Sequence, residues 1–124
     1  MFLLRTGTPV AEVRKHIVEN YYPLDFTLDE IRPRYGFDVS CQGSVPPAME
    51  AFFEATGFED AIRNAVSIGG DSDTLAAISG AVAEARWGVP DALRAAALAR
   101  LDDFLADVIA AFESRFPTRN APKR

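Results

Sequence analysis

The chain has 124 residues, with 13 Lys and Arg against 18 Asp and Glu for a formal net charge of −5. That length predicts a single domain, since domains commonly run to about 100–200 residues, and it suffices for a core without disulfides. The acidic balance excludes broad nucleic-acid binding through a basic face but leaves room for a phosphate-bearing small molecule at a local site.

A content of 48% hydrophobic and 25% charged residues is that of an ordinary globular protein. Cys41 is the one cysteine and His16 the one histidine. These counts exclude an intrachain disulfide framework and a Cys₄ or Cys₂His₂ zinc site. Any metal must therefore take oxygen ligands. The apolar run at Phe2, Leu3 and Leu4 is too short for a signal peptide. The apolar region at 92–112 is interrupted by Arg94, Arg100, Asp102, Asp103 and Asp107, so no membrane span is expected. The expected compartment is the cytoplasm.

The pattern reads as mostly helical. Thr8 is placed to cap a first helix that has Pro9 at its first position. Val10, Val13, Ile17 and Tyr21 then line one face, and Pro23 stops it. Thr27 and Glu30 have the spacing of a capping box, opening a short turn before Pro33. Residues 35–41 alternate like a strand but have no strand partner, so an extended connector is expected. Gln42-Gly43-Ser44 reads as a turn, with Ser44 capping a helix over 45–56 that Gly57 ends. Its apolar face is Val45, Met49, Phe52 and Phe53.

A short helix over 58–66 is predicted to turn Phe58, Ile62, Ala65 and Val66 inward. Leu75, Ile78 and Val82, with small residues between them, mark a helix suited to close packing and ended by Gly88 and Pro90. One long helix is predicted over 91–115, with Leu93, Ala97, Leu101, Phe104, Val108 and Phe112 on one face. Phe52, Phe53, Phe104 and Phe112 are core residues by this periodicity. Residues 117–124 read as a frayed tail, leaving one helical domain over 1–116.

Ile68-Gly69-Gly70-Asp71-Ser72-Asp73-Thr74 interrupts this pattern directly before a helix. Two glycines allow backbone angles closed to other residues and close approach of a ligand. Asp71, Asp73 and the Thr74 hydroxyl can direct oxygens at one point, the donor type that Mg²⁺ and Mn²⁺ prefer. The helix N-terminus favours anions as well. The same residue types are ordinary helix caps, so the spacing alone leaves both readings open. A calcium EF-hand fits less well, because Leu75 and Ala76 occupy the fifth and sixth loop positions. A phosphatase-type Asp-x-Asp-x-Thr motif would need Thr where Leu75 stands.

His16, beside Arg14 and Lys15, reads as a solvated histidine rather than a base. Cys41 reads as structural, Trp87 as a packing residue, and Gln42 and Ser44 as capping or ligand-facing residues.

The longer run resembles the ADP-ribosylglycohydrolase family. It extends from Cys41-Gln42-Gly43-Ser44-Val45-Pro46-Pro47 through Phe58 to Gly69-Gly70-Asp71-Ser72-Asp73-Thr74 and on to Gly80-Ala81-Val82-Ala83-Glu84-Ala85. The resemblance implies an all-α, orthogonal multi-helix bundle with a binuclear Mg²⁺ or Mn²⁺ centre. It implies hydrolysis of the bond linking ADP-ribose to a protein side chain or small acceptor. Asp71, Asp73 and Thr74 match metal ligands of that family, and Gly69, Gly70 and Ser72 would shape the loop around metal and ADP-ribose.

Residues 1–40 contain neither the Gly-Asp-Ala-x-Gly-like segment nor the Thr/Ser-Asp-Asp-Thr-like motif of the family's N-terminal half. The chain is therefore expected to represent the C-terminal half, apparently truncated. It is expected to dimerise or to be complemented by an N-terminal half. The alternative is a non-catalytic helical module that pairs with another chain or binds ligand weakly.

Overall fold

A computed structural model describes residues 1–116; the tail predicted at 117–124 lies outside the described residues. Among the described residues there are eight helices and no strand. They are α1 (Phe2–Arg5), α2 (Val10–Asn20), α3 (Leu28–Ile31), α4 (Cys41–Phe53), α5 (Phe58–Ser67), α6 (Ser72–Trp87), α7 (Asp91–Leu98) and α8 (Asp103–Arg115). The all-α expectation holds. Residues 35–40 form an irregular connector, as the lack of a partner strand required. The chain divides into two compact units, Met1–Trp87 and a second from Gly88 onward.

In the first unit α4, α5 and α6 pack on one another. One apolar cluster joins Leu4, Val13, Met49, Phe52, Ala61, Val82 and Ala83, with Trp87 packed against it. Trp87 stacks obliquely on Phe52 at a centroid separation of 5.3 Å, the packing role expected of it. The second cluster joins Leu28, Ile31, Ala48, Ala51, Ala65, Ile68 and Leu75. Small residues let α5 and α6 approach closely. Gly80 lies so near Ile62 that an added Cβ would stand 2.8 Å from Ile62 Cδ1.

The Thr27–Glu30 capping box is present in both directions. The Thr27 side chain accepts from Glu30 N, and Glu30 Oε2 accepts from Thr27 N at 2.7 Å. Several boundaries differ from expectation. Pro9, not Thr8, occupies the cap of α2, its carbonyl accepting the first helical bond from Val13 N at 3.1 Å. Helix α4 begins at Cys41, and Ser40 is its cap, its Oγ accepting from Gly43 N at 3.0 Å. Ser44 is instead buried inside the helix and donates to Ser40 O at 2.6 Å. Pro46 and Pro47 therefore lie within α4. Gly57 caps α5 rather than ending α4, with extended backbone at φ −174°. Val66 faces solvent.

The predicted 91–115 helix is two helices. Asp102 interrupts it, since its carboxylate accepts from Leu105 N at 2.8 Å and so caps α8. Phe104 and Phe112 are 73% and 62% exposed, not core. Helical spacing defines an apolar face but does not supply what covers it. Phe52 is buried and Phe53 half-buried.

Candidate functional site

The loop between α5 and α6 is fixed at both ends by the second core cluster. Ile68 and Leu75, the residues flanking it, are 2% and 0% exposed. Burying a side chain such as Leu75 stabilises by roughly 1.5–3 kcal/mol, so the loop starts and ends at rigid points. Between them Gly69 and Gly70 both adopt left-handed backbone, at φ +82° and +62°. A side chain at either position would be strained. At Gly70 it would also collide, because an added Cβ would stand 2.7 Å from both Gly36 O and Tyr35 Cε1. The connector thus packs directly on this turn.

Asp71 O accepts the first helical bond of α6, from Leu75 N at 3.1 Å. This places Asp71, Ser72, Asp73 and Thr74 at the helix N-terminus. Asp71 and Ser72 are half-buried, while Asp73 and Thr74 are exposed. A bond from Asp71 is the largest cause holding the Asp73 carboxyl below its ordinary range, followed by the Thr74 N–H, which reaches Asp73 Oδ1 at 3.0 Å. Among the described residues no Lys or Arg forms an ion pair with either carboxylate. Two carboxylates brought close together repel unless a proton or a cation lies between them.

The donor set suits a hard cation in kind: two carboxylates, a hydroxyl and open access to water. It is small in number. Among the described residues no group of three or more His, Cys, Asp and Glu side chains converges on one point.

The connector, which the sequence reading did not single out, packs against this loop through Gly36 and Tyr35. Ile31, Arg34, Tyr35, Gly36, Phe37 and Asp38 line an open cleft of about 370 Å³. Tyr35 spans from Gly70 to α4, where its hydroxyl donates to Gly43 O at 2.9 Å. Burial, then the charges of Asp38 and Asp71, push the Tyr35 phenol above its ordinary value. The Ser40 hydroxyl and N–H both donate to Asp38 Oδ1, at 2.6 and 2.7 Å, and hold that carboxyl below its usual range. The Asp38 carboxyl fills the space where a Cβ on Gly43 would stand. A signal for Tyr35 was present in the sequence: Pro47 lacks an N–H, so the carbonyl four residues before it needs another donor.

The other candidates lie elsewhere. His16 is exposed, its ring edge-on to Tyr21 at 5.7 Å. Cys41 is exposed in the first turn of α4, not a packed structural residue. Gln42 lines a separate cleft of about 400 Å³ with Tyr22, Phe26 and Pro46.

The chain matches the ADP-ribosylglycohydrolase family model over residues 4–122 and belongs to that family. It is 36% identical over 59 residues to an uncharacterized protein of Archaeoglobus fulgidus, a stretch that covers 47% of this chain and 19% of that protein. The chain thus spans less than a fifth of that relative's length. No solved structure matches it. No helix among the described residues is long and apolar enough to cross a membrane.

Proposed function

We propose that residues 1–116 are the C-terminal half of an ADP-ribosylglycohydrolase domain. The proposed reaction is metal-dependent hydrolysis of the N- or O-glycosidic bond linking ADP-ribose to a protein side chain or a small acceptor. The observation that carries this reading is the placement of Asp71 and Asp73 together at the start of α6, with no Lys or Arg ion-paired to either among the described residues. Asp71, Asp73 and Thr74 would hold Mg²⁺ or Mn²⁺. When bound, the ion supplies Lewis acidity and lowers the pKa of a coordinated water.

The chain's own residues do the rest by placement. Gly69 and Gly70 turn the backbone so that Asp71 enters α6 at a fixed angle, and the open space beside Gly69 leaves room for a ligand to approach. The N–H groups of the first turn of α6 favour an anionic group such as a diphosphate. Ser72 lies in this turn, beside the proposed ADP-ribose site.

Two carboxylates and a hydroxyl do not fill two octahedral sites. The remaining ligands would come from water, from another segment or from a second chain. That donor count favours one further reading, a non-catalytic module that completes a site only with a partner chain.

Thermal unfolding with and without Mn²⁺ and ADP-ribose, in the wild type and in Asp73→Ala, separates the two. A ligand that binds only the native state adds about 2.7 kcal/mol at a hundredfold excess over its Kd. A shift in the wild type that vanishes in Asp73→Ala supports a site held within this chain. No shift in the wild type retires that reading in favour of the partner-dependent one.

A further inference from the structure

We propose that Tyr35 is a positioning residue that sets the geometry of the turn carrying Asp71, by clamping Gly70 to the first turns of α4. The inference rests on the metal-site reading only for what the turn holds; the clamp is a property of the metal-free chain.

Three contacts define it. In a regular helix Gly43 O would accept from the N–H of residue 47, but that residue is Pro47, which has none. The Tyr35 hydroxyl takes that place, donating to Gly43 O at 2.9 Å. The same ring presents its Cε1 edge to Gly70, so closely that an added Cβ would stand 2.7 Å away. The root of the clamp is fixed as well. Tyr35 N bonds Ile31 O at 2.8 Å, Ile31 is a core residue, and Arg32 Nε donates to Ser67 Oγ at 2.9 Å at the end of α5.

One side chain therefore bridges the carbonyl vacated by a proline and the left-handed glycine that immediately precedes Asp71. A rigid turn holds the Asp71 carboxylate where Asp73 can share a ligand with it. A turn free to move would spread the two carboxylates over many separations. Preorganisation of this kind governs affinity because ordering the ligands otherwise costs binding free energy.

The test compares wild type, Tyr35→Phe and Tyr35→Ala by two readouts: amide hydrogen exchange in the metal-free protein, and Mn²⁺ affinity by titration. Tyr35→Ala is expected to speed exchange about tenfold or more at the amides of residues 75–77, the first in α6 with helical acceptors, Leu75 N bonding Asp71 O, while mid-α5 amides stay unchanged. Tyr35→Phe keeps the ring against Gly70 and is expected to speed it only about threefold. The Mn²⁺ Kd is expected to rise about tenfold in Tyr35→Ala and less in Tyr35→Phe.

Exchange at residues 75–77 within about twofold of wild type in Tyr35→Ala overturns the clamp. So does a rise shared equally by α5, which would mark general destabilisation. If Tyr35→Ala does not fold, Tyr35→Phe decides, and unchanged exchange there overturns the proposal. If the wild type binds no Mn²⁺, the metal reading fails, and faster exchange confined to residues 75–77 still upholds the clamp.

Discussion

Arg14 on α2 donates through Nη1 to the Glu50 carboxylate on α4 at 2.6 Å and through Nη2 to Leu24 O at 3.0 Å. Glu50 is 3% exposed, so this pair ties the α2–α3 segment to the core at a buried charge. Burial raises the Glu50 carboxyl above its ordinary value of 4.5, outweighing the lowering by Arg14. The folded state therefore binds this proton more tightly than the unfolded chain. The contribution to stability is present below about pH 4.5 and is lost as pH rises through the raised folded value. Glu50→Gln removes this term. Urea unfolding from pH 4 to 7 should show the variant gaining stability relative to the wild type as pH increases. Arg14→Ala should cost about 2–3 kcal/mol near neutral pH, the lower end for a broken buried pair because Arg14 is partly solvated, and less at acid pH.

The glycines make a graded series. Gly69→Ala meets nothing within 4 Å and bears only the strain of φ +82°, a cost of about 1–2 kcal/mol. Gly70→Ala adds contact with Gly36 O and the Tyr35 ring to similar strain, so it should cost about 1–3 kcal/mol more than Gly69→Ala. Gly80→Ala meets only the tip of Ile62 inside a helix, where Ala is favoured by about 1 kcal/mol, so it should be near neutral. Chemical denaturation of the three variants checks the order Gly70, Gly69, Gly80. A Gly70→Ala variant as stable as Gly69→Ala would mean that the connector yields freely.

Much of this organisation was legible in the residues. The Thr27–Glu30 box, the interruption at Gly69 and Gly70, and the position of Asp71, Asp73 and Thr74 at the start of a helix follow from local chemistry that depends on neighbours in sequence. The start of α4 did not. Ser44 directly precedes the predicted 45–56 helix and is of the residue type that caps one. The helix instead begins five residues before Pro46, because Ser40 and Asp38 together satisfy its N-terminus and Tyr35 satisfies one of the carbonyls the prolines leave open. Phe104 and Phe112 failed for another reason. Period 3.6 identifies which side chains share a face, whereas burial depends on what packs there.

The corrected cap gives a direct comparison. Ser40→Ala removes the acceptor for Gly43 N and should cost about 1 kcal/mol. Ser44→Ala deletes a hydroxyl whose acceptor, Ser40 O, also receives Ser44 N at 3.0 Å, so no partner is left empty. Its cost should stay within about 0.5 kcal/mol. The reverse order in thermal unfolding would return the cap to Ser44.

The proline–tyrosine link is measurable as a coupling. Tyr35→Phe alone leaves Gly43 O without either donor, since Pro47 cannot replace the lost hydroxyl. In a Pro47→Ala background the helix regains an N–H four residues beyond Gly43, and that donor can satisfy the same carbonyl. Tyr35→Phe should therefore cost less with Ala at position 47, by about 0.5–1.5 kcal/mol, the net value of one hydrogen bond. The double-mutant cycle isolates this term from the volume lost at Pro47, because that loss appears on both sides. Additive behaviour would show that Gly43 O is satisfied without Tyr35. The ring would then reach α4 by contact alone, and its packing against Gly70 would be the only restraint it places on the turn before Asp71.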